Sequence, residues 1–191
     1  MQNKELQKDD INHALQVLKA GGIVVIPTDT DWCFACDATN THAVEKFVSI
    51  IGKNEYNILL LDNVSRLTAY LEEFPDIVWD LFDLSEKPLT LILGDAKNIS
   101  PAVLSDKGTV GFQITNENFS KNLCSRFRNP LMISSLNKSP KLQNYTIEQI
   151  HEDVLAKAEY VVKSQQGRIV GGQKSSVISI GKGNVFRIIC E

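Results

Sequence analysis

Two polar segments of this chain carry the residue types that hold oxygen-rich ligands. The first, Pro27-Thr28-Asp29-Thr30, directly follows the apolar run Ile23–Ile26. It puts two hydroxyls and a carboxylate beyond the carboxyl end of a strand, where open α/β sheets bind ligands. The same residue types also make ordinary turns. The second, Ser134-Ser135-Leu136-Asn137-Lys138-Ser139, closes the run Leu131–Ser134. Its three hydroxyls, amide and ammonium suit phosphate or nucleotide oxygens. Two further segments have the same character. Lys174-Ser175-Ser176 follows Gly171-Gly172, and Gly108-Thr109-Val110-Gly111 brackets a strand start with glycines. Cys33 and Cys36 form a C-x-x-C pair, but no second pair or H-x-x-x-H completes a metal set, so they read as buried core residues. His13, His42 and His151 are spread over separate helical segments and form no shared site. No P-loop, dinucleotide, zincin or nucleophile-elbow motif occurs.

Positioning such segments requires a sheet. Ile11, Ala14, Leu15 and Leu18 line one face of a helix over 9–20, capped by Asp9 or Asp10 and stopped at Gly21-Gly22. Ala43, Val44, Phe47, Val48 and Ile51 line a second helix. Leu67–Leu71, Ile77–Leu84 and the Phe119–Phe127 stretch read as helices. Thr146 and Gln149 open another that runs through Leu155. Strands are expected at Ile23–Ile26, Ile58–Leu61, Thr90–Leu93, Thr109–Ile114, Leu131–Ser134, Tyr160–Val162, Ser176–Ile180 and Val185–Ile189. Helices and strands alternate early and strands cluster late. The expected fold is α/β, a twisted mixed, largely parallel sheet with flanking helices, in one domain over 1–191.

Composition narrows the function classes. Of 191 residues, 43% are apolar, enough for a sizeable core, and the net charge of −3 argues against a general nucleic-acid binder. No run is long enough to span a bilayer and the start is polar, which predicts a cytoplasmic protein with reduced thiols.

Taken in order, the segments resemble the YrdC/Sua5 family of threonylcarbamoyl-AMP synthases. PTDTDWCFACDA, Pro27 to Ala38, is similar to that family's PTDT loop and Y-G-L-G-C-D-A run. Glu86-Lys87-Pro88-Leu89-Thr90 resembles P-G-P-x-T, and Gly108 to Gln113 resembles G-T-x-G-x-R. Ser134 to Pro140 resembles S-[ST]-A-N-x-S-G, Ser175-Ser176-Val177 resembles S-T-V, and Arg187 matches a terminal arginine. The resemblance implies a concave ligand-binding face. It also implies a reaction joining threonine, bicarbonate and ATP, with Mg²⁺, into threonylcarbamoyl-adenylate for t6A modification of tRNA. Thr28, Thr30, Thr109 and Ser175 would meet substrate. Ser134, Ser135, Asn137 and Arg187 would meet the nucleotide. Lys53, Lys174 and Arg187 would supply catalytic cations, and no protein-held metal is implied.

The departures are concentrated among the cations. Ile51-Gly52-Lys53 stands where the family has K-x-R, and Gln113 stands where it has arginine. Each lost charge-assisted contact to an anion costs roughly 1.5–3 kcal/mol. Lys87, Lys138 and Lys174 are candidate substitutes. Trp32-Cys33-Phe34-Ala35 replaces Y-G-L-G and predicts a narrower pocket floor. The alternative implied by these losses is a non-catalytic paralogue that binds nucleotide or RNA. The oligomeric state stays open.

Overall fold

The computed structural model describes residues 2–52, 54–137, 144–171, 173–181 and 185–190. Helix α1 (Gln2–Lys19) buries Ile11, Ala14, Leu15 and Leu18. It begins well before the expected Asp9 or Asp10 cap, because Lys, Glu, Leu and Gln upstream are good helix formers. Asp10 instead points inward. Its carboxylate is 1% exposed and accepts from the Tyr160 hydroxyl and from the Lys163 and Ser164 amides. Gly21, at φ 77°, ends the helix with an N–H bond to the Leu18 carbonyl.

Strand β1 (Val24–Pro27) turns at Thr28–Asp31 into β2 (Trp32–Asp37), buried along its whole length. The second strand was not anticipated, because the run was read as a pocket floor. A bond from the Thr28 amide to the Asp31 carbonyl at 2.8 Å closes the hairpin. Helix α2 (Thr41–Ile51) follows, capped by the Asn40 side chain, and β3 (Ile58–Leu61) after it. The expected helix at Leu67–Leu71 is a 3₁₀ segment, Val64–Ala69. Helix α3 (Ile77–Asp83), β4 (Leu89–Leu93), β5 (Val110–Ile114), α4 (Asn118–Phe127) and β6 (Leu131–Ser135) lie close to their expected places. Thr146 and Gln149 do form a capping box, but over a single 3₁₀ turn. Ile150 takes an extended ψ of 133°, and the chain restarts as α5 (Glu152–Leu155). Strands β7 (Tyr160–Val161), β8 (Ser176–Ile180) and β9 (Phe186–Cys190) complete the chain.

The nine strands among the described residues form one sheet in the order β7-β1-β2-β6-β3-β5-β4-β8-β9. It is mixed, but the expectation of a largely parallel sheet is overturned. Only β1–β7, β3–β5 and β4–β8 pair parallel, and the other five pairings are antiparallel. The tight β1–β2 hairpin and the insertion of β6 between β2 and β3 impose this. Helices α1 and α4 pack on each other and on β1, while α2 packs on β2. No described helix is long and apolar enough to cross a membrane.

Adjacent strands rotate by about 20–25°, so the four steps from β1 to β5 turn the strand direction by roughly 90°. Strands β1 and β5 run in opposite directions, and it is the turn after β1 that reaches the segment after β5. Asp29 fixes the meeting. It accepts from the Thr115 hydroxyl at 2.6 Å and from the Asn116 amide at 3.0 Å, 86 and 87 residues away in the chain.

Candidate functional site

The Asp29 staple borders a cavity of about 410 Å³, within the range of small-ligand sites. Asp29, Asp62, Lys87, Ile114, Asn116 and Gln173 are among its walls. The cavity thus joins the Thr28–Thr30 turn, the Glu86–Thr90 segment, the end of β5 and the approach to Ser175. Of the segments singled out by residue type, the Thr28–Thr30 turn lines it through Asp29, and Gln173 adjoins Lys174-Ser175-Ser176; Glu86 to Leu89 belong to the segment marked by the resemblance. Its rim is more acidic than basic: Asp29, Asp62, Asp83 and Glu86 face only Lys87 and Lys121.

Strand alternation and register sort the side chains by face. Cys33 lies opposite Ser135, Ile133 opposite Ile58, Ile58 opposite Gly111, and Gln113 opposite Thr90. Those residues therefore share one face. Trp32 and Phe34 project to the other face with Met132, Leu59 and Phe112, and join the buried core. Cys33 and Ala35, at the two glycine-type positions, lie on the shared face, and neither is among the walls of the Asp29 cavity. Cys33 Sγ lies 3.7 Å from the Thr28 hydroxyl. Cys33 and Cys36 are free, buried and on opposite faces of β2, so they cannot pair. Burial, with Asp31 beside Cys33 and Asp37 beside Cys36, pushes both thiols far above their ordinary range.

Two polar clusters stand on the shared face. The first gathers Thr28, Thr30, Asp31, Ser135, Asn137 and Tyr145. The Thr28 hydroxyl donates to the Asp31 carbonyl at 2.8 Å and accepts from the Asp31 amide at 3.1 Å. With 2% exposure, Thr28 braces its own turn and has no proton left for a ligand. Thr30 is half-buried, 3.3 Å from it. Asp31 accepts from the hydroxyls of Ser135 and Tyr145 and from the Trp32 amide at 2.9 Å. Burial raises the Asp31 carboxyl against the pull of those three donors. Burial and the bond to Asp31 also push the Tyr145 phenol up, so it remains a donor. Residues Asp31 and Tyr145 were missed in the sequence. The only available signal for Asp31 was a charge at the head of an otherwise apolar strand.

The second cluster is a relay. Gln113 Nε2 donates to Thr90 Oγ1 at 3.0 Å, and Thr90 Oγ1 lies 3.1 Å from Ser175 Oγ. Gln113 is 6% exposed and Thr90 fully buried, while Ser175 is half-buried and Lys174 exposed. A neutral amide thus occupies the place where the resemblance implied a guanidinium.

Three expected site residues are not brought to these clusters. Ser134 and Ser135 are neighbours on β6, so their side chains point to opposite faces, and Ser134 lies opposite Phe34. Thr109 sits at the other end of β5 from Gln113. It is bonded to Ser105 at 2.8 Å and lines a separate cavity of about 500 Å³. Arg187, on the edge strand, is opposite Ser179, which lines that second cavity too. Lys53 and Lys138 lie outside the described residues.

A family model described as "Telomere recombination" and covering Sua5, YciO and YrdC proteins matches residues 16–189. The chain belongs to the Sua5/YciO/YrdC family. The threonylcarbamoyl-AMP synthase of Pseudoalteromonas translucida is 26% identical over 179 residues, 91% of this chain and 95% of that protein. The human threonylcarbamoyl-AMP synthase is 26% identical over 92% of this chain and 64% of its own length. Among solved folds, E. coli YciO superposes with a TM-score of 0.77 at 20% identity, covering 97% of this chain and 89% of YciO. P. abyssi Sua5, solved with L-threonine, superposes with a TM-score of 0.78 at 20% identity. This chain covers 53% of that Sua5, about half its length. The mixed α/β fold expected for the family is therefore the fold observed.

Proposed function

We propose that this chain is a threonylcarbamoyl-AMP synthase that feeds the t6A modification of tRNA. It would condense threonine, bicarbonate and ATP to threonylcarbamoyl-adenylate, releasing pyrophosphate and water. The observation that carries the reading is the Asp29 staple, which draws the hydroxyl-rich turn, the Glu86–Thr90 segment and the end of β5 around one cavity. The names of the relatives across the full domain support it.

In the chemistry, threonine's amine takes up bicarbonate as a carbamate. A carbamate oxygen then attacks the α-phosphorus and the pyrophosphate oxygen leaves. Both reactants are anions, so catalysis rests on positioning and cationic screening rather than on a strong base. Thr30 and Ser175 meet threonine in this reading, and Asn137 meets the nucleotide. Thr28 and Ser135 hold the loops that present them. Lys87 and Lys174 supply the screening, with Lys53 as a further cation. The Lys87 ammonium lines the cavity and has no partner among the described residues. Thr109, Ser134 and Arg187 are given no ligand contact.

Mg²⁺ would enter as the ATP chelate, neutralising triphosphate charge. Among the described residues no group of three or more His, Cys, Asp or Glu side chains is placed to hold a metal. Asp29 and Asp62 are already engaged by Thr115 with Asn116 and by Arg66. The ion would depend mainly on the phosphates for its ligands.

The test is pyrophosphate release with ATP, threonine, bicarbonate and Mg²⁺ together. Release that requires all three substrates is expected. Background rates alongside calorimetric AMP binding would replace the synthase with a nucleotide-binding paralogue.

A further inference from the structure

The Ser135 hydroxyl has its proton committed within the protein. It has one proton, which goes to the Asp31 carboxylate, and its oxygen accepts the Asn137 amide at 3.0 Å. The Asn137 carbonyl, 3.1 Å from the same hydroxyl, competes for that proton but carries no full charge. Ser135 therefore has no proton left to donate to a phosphate. It passes the position of Asp31 on to Asn137.

Asp31 is itself held from three directions. The Trp32 amide fixes one oxygen from within the hairpin. The Tyr145 hydroxyl reaches the same oxygen from a segment 114 residues away. Tyr145 pairs with Val170 through two backbone bonds of 2.9 Å, and its ring lies against Gly171, where an added Cβ would sit 3.1 Å from the ring edge. The carboxylate thus joins the first turn, the loop after β6, and the strap that leads to Ser175.

We infer that Asp31 is a positioning residue for nucleotide binding: its carboxylate orients the Ser135 hydroxyl, which sets the backbone of Asn137 against the nucleotide. This rests on the reading above that Asn137 meets the nucleotide. Asp31 touches no substrate. It works by presenting an acceptor, and shape alone does not replace it. In Asp31→Asn the amide group turns a donor toward one of two hydroxyls that are themselves donating. Ser135 must then swing its proton to the Asn137 carbonyl, and the loop loses its fixed register.

The experiment measures AMP affinity by calorimetry and, in parallel, the KM for threonine in the pyrophosphate assay. The proteins are wild type, Asp31→Asn, Ser135→Ala and the double variant, each checked by thermal melting. Asp31→Asn and Ser135→Ala are each expected to weaken AMP binding about tenfold, one hydrogen bond's worth of free energy, with the threonine KM within about twofold. The double variant should lose little beyond either single change, because both break one link. Tyr145→Phe keeps the Asp31–Ser135 bond and should weaken AMP about threefold or less. If Asp31→Asn does not fold, Ser135→Ala, which deletes only a hydroxyl, carries the test alone. Unchanged AMP affinity in folded variants of an AMP-binding wild type overturns the inference and leaves the synthase reading standing. So does an additive double variant, or a loss that falls equally on threonine. A wild type that binds no nucleotide overturns both.

Discussion

Asp29→Ala should loosen the junction that makes the site. The carboxylate receives two bonds, from Thr115 Oγ1 at 2.6 Å and the Asn116 amide at 3.0 Å. A hydrogen bond to a charged group contributes about 1.5–3 kcal/mol, and the half-exposed position of Asp29 argues for the lower end. Thr115 is fully buried, so its hydroxyl would lose its acceptor without gaining water, keeping only the bond it accepts from the Glu117 amide. The expected loss is about 3 kcal/mol, or about 6–12 °C in melting temperature for a domain of this size. Thr115→Val removes the hydroxyl while keeping the shape. A double-mutant cycle between the two, read by urea unfolding, should give a coupling of at least about 1 kcal/mol. In the pyrophosphate assay Asp29→Ala should lose at least about tenfold in kcat/KM, because the turn and the end of β5 no longer move as one. A coupling below about 0.5 kcal/mol, or full activity in a stable Asp29→Ala protein, would refute the staple as the organiser of the site.

Other outcomes follow from the same geometry. Gln113→Arg should destabilise the free protein, since a buried guanidinium would face only Thr90 and Ser175 hydroxyls. With ATP present it should raise turnover about tenfold, measured as pyrophosphate release; no gain would show that the Gln113 relay lies away from the phosphates. Native thiol titration should show one fast-reacting cysteine, Cys190, because Cys33, Cys36 and Cys124 are buried with thiols pushed up by that burial; all four should react in denaturant. Burial raises the Glu159 carboxyl, but its bonds from Lys46 and from the Ile23 amide outweigh that and hold it below the usual range. Its contribution is present above the ordinary pKa of 4.5 and disappears as pH falls through the lower folded value. The stability gap between wild type and Glu159→Gln should therefore be full at pH 7 and close in acid, as followed by urea midpoints.

The sequence was most legible where one residue type answers one physical demand. Apolar periodicity located α2, α4 and most strands within a residue or two, because burying those faces is what makes the elements form. It failed where tertiary pairing decides. β2 is apolar from Trp32 to Cys36 and carries no alternation, so only its partners β1 and β6 identify it as a strand. The direction of the pairings was misjudged for the same reason: nothing local shows that β6 enters between β2 and β3. At the site, residue type found Thr28, Ser135 and Ser175 but not their division of labour. Whether a hydroxyl faces a ligand or braces a turn depends on who takes its proton. Tyr145 had no signal of its own and Asp31 only its charge ahead of an apolar run, since the Tyr–Asp pair exists only after the sheet has wrapped.

That wrap also governs how the chain is made. The Ile23 amide bonds to Glu159, 136 residues later, and Val24 pairs with Tyr160. Ser175 supplies the last hydroxyl of the relay begun at Thr90. At about 5–20 residues per second, a ribosome needs roughly 7–27 s to deliver the partner of the first strand. Through that interval the outer edge of β1 has only solvent or a chaperone to cover it. A nascent chain cut short before Tyr160 keeps most of its core residues and cannot complete the sheet.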